Sequence, residues 1–498
     1  MTGLVTLVGA GPGDKGLLTL AGAEALRAAE AVVFDRLVDP SILALIPAGA
    51  ETVDVGKRQG SHPVPQDEIN RVLVRLAESG KNTVRLKGGD CYLFGRGGEE
   101  CEYLREHGVP FRVIPGVTSA LAAPAFAGIP VTHRDFASSV HLITAHARAG
   151  KPLEIDFEAL VRLRGTLVFF MGLAALSDVM RGLIAAGIDP ETPAAVIENG
   201  ARARQRKVVA TASSLTEAVR AADVQSPALI VVGPVCGLSD ALDWFSALPL
   251  FGKTVAVTRP RDRAGTLSDR LRALGAEVVE CPVIETREIE DGAALSSALR
   301  ETWNWVVLTS PAGVPAMVRA LTRQGRDLRA LYGCRFAVIG KGTEAALAKL
   351  GVRADLCPAR YDGAHLARAL VAAAKPGDRV LLLRAKEGSP ALPEALRAVG
   401  LPFADVPVYE TVYREEGAEA LRALLAAGRL YAATFTSAST VTGFVRVCGG
   451  APLSGFIAVC IGEQTAKAAR AHGMRVQTAK NATIDDLIAC LMEGNKHV

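Results

Sequence analysis

The run VRLKGGDCYLFGRGGEE, Val84–Glu100, constrains the fold more than any other stretch of this chain. Its β-branched, apolar start predicts the end of a buried strand, and its closing acids predict a helix starting near Glu99. Between them, Gly88, Gly89, Gly95, Gly97 and Gly98 allow positive φ and close approach of the backbone to a ligand. Loops that leave the C-terminal ends of strands are where α/β proteins build their sites. The plainer reading of the same residues is an ordinary Gly-rich connection.

Composition agrees with layered α/β structure. The 498 residues exceed one ordinary domain and predict about three. A hydrophobic content of 49% with 22% charge gives a soluble chain with ample core, and 49 glycines with 5% aromatics disfavour a β-sandwich. A net charge of +4 is too small at this size to indicate nucleic acid. Nine cysteines without a C-x-x-C pair argue against a disulfide framework and a zinc site, and for a reducing compartment. His62, His133, His141 and His146 have no metal-ligand spacing, so no metal is assigned. The first residues have no basic, apolar leader pattern, and the apolar stretch near 113–131 is broken by Pro115, Pro124 and Pro130. A cytoplasmic protein is expected, with no membrane partner.

In the first half, a strand over 2–9 runs into GAGPGD. Its glycines, Gly9, Gly11 and Gly13 around Pro12, miss the G-x-G-x-x-G spacing of a dinucleotide site. A strand ends at Phe34-Asp35-Arg36, and VDVGKRQGSH carries Lys57 and Arg58 into a loop. PGVTSA places Thr118 and Ser119 at a helix start, GIPVTHRD adds Arg134, TLVFFMG ends at Met171, and VIENGARAR brings Gly200. Singly, Asp35 and Lys57 read as solvated charges and Met171 as core filler.

Together, GxGPGD, FDRLV, VGKRQGSH with PQDEIN, RLKGGD, FGRGGEE, PGVTSA and GIPVTHR occur in one order, which resembles the uroporphyrinogen-III C-methyltransferases of the tetrapyrrole methylase family. The resemblance covers about residues 3–240 and implies two α/β lobes with S-adenosylmethionine between them. It implies a cofactor pocket of Pro12, Gly88, Gly89, Asp90, Leu93, Thr118, Ser119, Met171 and Gly200. It also implies acid/base roles for Asp35 and Lys57, and places Arg96, Glu99 and Arg134 near a tetrapyrrole whose carboxylates suit Arg36 and Arg58 as well. Proton removal from the alkylated ring would fall to Asp35 or Glu99. Homodimerisation is a further implication. Two residues depart from the family pattern: Cys91 stands in place of Pro after GGD, which loosens the cofactor loop, and Ala201 in place of Thr after the glycine of ENG, which removes a hydroxyl contact.

Beyond DWFSALPLFGKT the strand–helix pattern restarts, so 1–245 is expected as one domain, 246–252 as a linker and 253–498 as another. VVLTSPAGVPAMVRAL is echoed by AATFTSASTVTGFVRV, and FAVIGKGTEAALAKLG by IAVCIGEQTAKAARAHG, about 125 residues later. This predicts two similar lobes, one of 253–284 with 410–498 and the other of 285–409. Ser310, Thr343, Ser437 and Thr465 fall at helix starts, where capping is the common role and anion binding the alternative. VTRP, VIGKGTEAAL, VPVYET and the TIDDL stretch resemble uroporphyrinogen-III synthase, which implies closure of hydroxymethylbilane to uroporphyrinogen III and points to Tyr409. The expected chain is therefore α/β: a two-lobed tetrapyrrole methylase followed by a two-lobed synthase-like unit, acting on tetrapyrroles. The rival readings are a methylase with another substrate, a second half that binds tetrapyrrole without catalysis, and a nicotinamide dehydrogenase, which the broken glycine spacing disfavours.

Overall fold

Short apolar strands alternating with helices bury both faces of a sheet, and the computed structural model forms four five-stranded sheets among its described residues. Those residues are 2–56, 64–145, 154–289, 293–415 and 417–493. They fall into two compact units, Met1–Gly252 with Leu274–Glu277, and Lys253–Ala273 with Val278–Val498.

The first unit opens with β1 (Val5–Gly9), β2 (Ala31–Phe34), β3 (Glu51–Asp54), β4 (Thr83–Lys87) and β5 (Phe111–Ile114), in the sheet order β3-β2-β4-β1-β5. Every pairing in it is parallel. From β1 the chain goes to β2 on one side, and from β4 to β5 on the other, so the loops leaving these neighbours diverge. Such a switch point opens a crevice at the C-terminal ends of the strands. Alternation sorts β4: Val84 and Leu86 join the apolar cluster of Val8, Leu26 and Val32. Arg85 and Lys87 point to the other face, toward the helix Gly97–Glu106.

The second sheet of this unit contains β6 (Val140–Thr144), β7 (Thr166–Phe170), β8 (Pro193–Glu198), β9 (Arg206–Thr211) and β10 (Ala228–Val232), in the order β6-β7-β10-β8-β9. Only β6 and β7 run parallel. The turn over 199–205 is too short for a crossover helix, so β8 and β9 pair as a hairpin. After β10 the chain packs back on this lobe. The Trp244 indole donates to the Ala125 carbonyl at 3.0 Å, and Phe126, Phe245 and Phe251 continue an edge-to-face aromatic stack. Within 246–252, Leu250 is fully buried, so this stretch is packed rather than a free tether.

In the second unit, β11 (Thr254–Val257) and β12 (Glu277–Glu280) are followed by β13 (Ile284–Glu288), β14 (Trp305–Leu308), β15 (Arg335–Val338), β16 (Val380–Ala385) and β17 (Phe403–Tyr413). Strands β13 to β17 form one sheet, β13-β17-β16-β14-β15. The chain returns through β18 (Leu430–Phe435), β19 (Ile457–Cys460) and β20 (Arg475–Thr478) to complete β12-β11-β18-β19-β20. Outgoing β13 and returning β17 lie antiparallel, Ile284 opposite Tyr413 and Glu288 opposite Tyr409. The internal echo is structural: β14 beside β15 and β18 beside β19 are parallel neighbours, each followed directly by a helix.

Candidate active site

Three strands of the first sheet end in glycine-containing loops that touch one another. A Cβ on Gly9 would lie 2.4 Å from the Gly116 nitrogen and 2.8 Å from the Gly89 carbonyl oxygen, and one on Gly116 would lie 2.3 Å from that same oxygen. Gly11 and Gly89, both at positive φ, exchange backbone hydrogen bonds of 3.1 and 2.8 Å, which join the loops of β1 and β4. Gly88 abuts the loop after β2, since its Cβ would stand 2.6 Å from that of Leu37. The added side of Gly89 meets only the Ser119 nitrogen, at 3.9 Å, so backbone is presented there without obstruction.

Asp90 holds this arrangement. Its Oδ1 accepts from the amides of Tyr92 and Leu93, both at 2.8 Å, and its Oδ2 from the Gly116 amide at 3.0 Å. The carboxylate thus closes its own loop and ties it to the one after β5. Cys91, in the place of the family's proline, fills the core: it is fully buried, its Sγ faces the Ile114 carbonyl at 3.7 Å, and its own carbonyl accepts from the Gly97 amide at 3.1 Å. Burial pushes its thiol up to about 11. Phe94 and Arg96 take left-handed backbone, a costly conformation for residues with side chains. Phe94 uses it to set its ring 5.0 Å from Phe170 at the end of β7.

Of the remaining residues expected at the cofactor, Met171 and Gly200 belong to the second lobe, and Thr118, Ser119 and Pro12 to segments that follow strands of the first sheet. Met171 is not core filler: it follows β7 at φ 54° and is 52% exposed. Gly200 lets the turn after β8 press on the helix Ser119–Phe126, where a Cβ would stand 2.3 Å from that of Ala123. Ala201 is buried, and its amide donates to Gln205 Oε1 at 2.9 Å while Gln205 Nε2 donates to the Phe126 carbonyl. Thr118 caps that helix by accepting from the Ala120 amide at 3.3 Å, Ser119 is its first residue, and Pro12 lies half-buried in the first loop. Arg202, which the sequence reading passed over, donates to the Leu37 carbonyl at 2.6 Å with its stem against Gly13. It straps the second lobe to the loop that carries Asp35.

Around this crevice, Asp35 Oδ1 accepts from the Leu37 amide at 3.0 Å, and its Oδ2 lies 4.0 Å from the Arg85 guanidinium. Arg36 and Arg134 are exposed, while Lys57 and Arg58, with His62 and His146, lie outside the described residues. Arg96 and Glu99 bond each other through contacts of 2.5 to 3.1 Å. That pairing holds the Glu99 carboxyl below its ordinary range and the Arg96 guanidinium above its own.

Behind the crevice is a buried ionic cluster that the sequence reading also missed. Glu100, with no exposed surface, accepts at Oε1 from Lys87 Nζ (2.8 Å), Gln66 Nε2 (3.1 Å) and Arg85 Nε (3.2 Å). Burial, reinforced by Arg85, pushes the Lys87 ammonium down, and Glu100 opposes the shift. The signal for this cluster was present in Val84–Lys87, because a central parallel strand is usually apolar on both faces and this one carries Arg85 and Lys87.

In the second unit, Ser310 follows β14, Thr343 β15, Ser437 β18 and Thr465 β19. Ser437 forms a reciprocal capping box with Thr440, and Ser310 Oγ accepts from the Ala312 amide at 3.2 Å. Thr343 and Thr465 differ, for their helices are N-capped by Gly340 and Gly462 and both side chains are buried. The Thr343 hydroxyl has no hydrogen-bond partner among the described residues. Tyr409 is half-buried in β17 against the second lobe's apolar core.

A family model for tetrapyrrole (corrin/porphyrin) methylases matches residues 4–216, and one for uroporphyrinogen-III synthase HemD matches 265–489. The "Porphyrin biosynthesis protein HemD" of Ruminiclostridium josui is 46% identical over 494 residues, 99% of this chain and 98% of its own. The chain belongs to this family, a tetrapyrrole methylase fused to a uroporphyrinogen-III synthase. The "Siroheme synthase" of Salmonella paratyphi B is 51% identical over 244 residues, and this chain spans only 52% of that protein's length. A uroporphyrin-III C-methyl transferase from Thermus thermophilus, solved with S-adenyl homocysteine, is 40% identical over 47% of this chain and all of its own, with a TM-score of 0.41. The methylase model thus spans the glycine cradle, and the synthase model spans all four hydroxyl-bearing helix starts.

Proposed function

We propose that the methylase unit methylates uroporphyrinogen III twice to precorrin-2, using S-adenosylmethionine, and that the synthase unit makes its substrate by closing hydroxymethylbilane. The observation that carries this reading is the pairing: one chain matches both family models and is similar along its whole length to a porphyrin biosynthesis protein. The product of one unit is then the substrate of the other.

The crevice suits the cofactor on its own geometry. The cradle has no room for a β-carbon at Gly9 or Gly116, Gly89 presents its backbone unobstructed at positive φ, and the Gly9–Gly13 spacing is not one that wraps a pyrophosphate, which this cofactor lacks. When bound, it supplies a methyl group on cationic sulfur, open to attack by an electron-rich pyrrole carbon. Gly88, Gly89, Leu93, Ser119, Met171, Gly200 and Pro12 line it, while Asp90 and Thr118 keep their loops in shape. Positioning does most of this work, so a rigid cradle matters more than a strong nucleophile. Asp35, assisted by Lys57, takes the proton that the alkylated ring must lose. Arg36, Arg58, Arg96 and Arg134 bind the substrate's carboxylates. In the synthase unit, helix starts at Ser310, Thr343, Ser437 and Thr465 bind the carboxylates of the linear substrate, and Tyr409 assists ring closure. Precorrin-2 leads to sirohaem or cobalamin, and the protein works as a homodimer through its methylase unit.

The test is a mass and absorbance assay of the whole protein given hydroxymethylbilane, with and without S-adenosylmethionine. The reading requires type III uroporphyrinogen without cofactor and a doubly methylated product with it. Methylation of supplied uroporphyrinogen III alone would reduce the second unit to a binding module, and no product from either would overturn both assignments.

A further inference from the structure

The buried cluster behind the crevice has no counterpart in the roles given so far, yet it reaches the proposed proton acceptor. Arg85 leaves the middle of β4 with its guanidinium almost wholly enclosed. Nε is held by Glu100 at 3.2 Å, and Nη1 donates to the Leu86 carbonyl at 3.2 Å and the Val33 carbonyl at 3.4 Å. Those contacts fix the fork from two adjacent strands. The same Nη1 faces Asp35 Oδ2 at 4.0 Å, while the other oxygen of Asp35 is held by the Leu37 amide. Glu100 is itself fixed by Lys87 and Gln66, and Gln66 Nε2 also donates to Asn70 Oδ1 at 3.0 Å. A chain of contacts therefore runs from the helix Gln66–Glu78 through Glu100 and Arg85 to the carboxylate at the crevice.

A buried ionic cluster of this kind is weak evidence of stabilisation, because enclosing two cations and an anion costs about as much as their attraction returns. Its geometry is better explained by what it holds. The loop after β2 is short, and Asp35 has a quarter of its side-chain surface open to solvent, so without a second anchor the carboxylate would turn about its Cβ. We propose that Arg85 is a positioning residue for methylation, fixing the Asp35 carboxylate in the crevice, and that Glu100 serves by fixing Arg85. This rests on the reading of Asp35 as proton acceptor.

The experiment is a double-mutant cycle on the full-length protein, with supplied uroporphyrinogen III and S-adenosylmethionine. Asp35→Asn must first lower kcat; if it does not, Asp35 leaves the reaction and the positioning role goes with it. Arg85→Gln should lower kcat about 10- to 100-fold, as a misplaced catalytic group does. KM and the calorimetric affinity for S-adenosylhomocysteine should stay within about twofold of the parent, since Arg85 does not line the cradle. In the Asp35→Asn background, Arg85→Gln should cost no further rate, because there is no carboxylate left to position. If the two losses multiply, or if cofactor affinity falls with kcat, Arg85 serves the fold and the proposal is overturned. Arg85→Lys, which keeps the charge without the fork, covers the case in which Arg85→Gln fails to fold. It should also lower kcat in the Asp35 parent and be silent in the Asp35→Asn background, and multiplication there refutes the proposal equally.

Discussion

Gly116→Ala is the most direct probe of the cradle. The added carbon would stand 2.3 Å from the Gly89 carbonyl oxygen, 2.6 Å from Gly9 Cα and 2.7 Å from Gly9 carbonyl carbon. All three are backbone atoms of neighbouring strand ends, so no side chain can swing aside. Ordinary carbon contacts begin near 3.5 Å, so the loops after β1, β4 and β5 must part by about 1 Å. Overpacking of this size costs about 1–3 kcal/mol, and a pocket built from those loops should lose affinity by roughly 10- to 100-fold. The assay is calorimetric titration of S-adenosylhomocysteine, with circular dichroism and the synthase reaction of the same chain as controls for folding. Gly98→Ala is the comparison, because its added carbon meets nothing within 4 Å and it lies in the helix Gly97–Glu106. That change should leave binding unaltered and stabilise by up to about 1 kcal/mol. A folded Gly116→Ala protein that binds S-adenosylhomocysteine as the parent does would refute the assignment of the cradle.

Other consequences are open to test. Arg202→Ala removes the 2.6 Å strap to the Leu37 carbonyl and should raise KM for the tetrapyrrole about tenfold, read from initial rates; an unchanged KM would show that the strap is dispensable. Cys91, with its thiol pushed up to about 11, should resist iodoacetamide at pH 8 in the native protein, checked by peptide mass spectrometry, and rapid labelling would contradict its burial. The same shift has a sign for stability. Between pH 9 and about 11 the unfolded chain loses this proton while the folded chain keeps it, so the contribution present below pH 9 is lost as pH rises, seen as a falling Tm. Thr343→Val removes a buried hydroxyl without a partner among the described residues and should stabilise by about 1 kcal/mol in chemical denaturation; a loss of stability would mean the hydroxyl is already satisfied.

What could be read along the chain was local. Gly88 and Gly89 after an apolar strand, Thr118 before a helix, and the paired TS and IG strand ends of the second half are features of a few consecutive residues, governed by backbone freedom and capping. The order of those pieces was enough to place the chain among the methylases and synthases, and both matched models agree. Ser437 also shows the limit of such reading, since a residue at a helix start proved to be a cap while Thr343 at a matching position is buried, its hydroxyl without a partner among the described residues.

Tertiary structure decided which local pieces meet. Gly9, Gly89 and Gly116 come from distant stretches and touch only because β4, β1 and β5 are sheet neighbours, an order that depends on long-range pairing. Met171 lies in an apolar run and reads as core, yet its backbone turns left-handed at the end of β7 and leaves the side chain open. The polar face of β4 was visible as Arg85 and Lys87, but not its partners, because Glu100 and Gln66 reach it from two separate helices. The sequence by itself determined the loops, the helix starts and the two families. Only the packing of strands and helices decided which loops form one cradle and which buried charge stands behind Asp35, because such contacts exist only once sheet order and side-chain alternation are set.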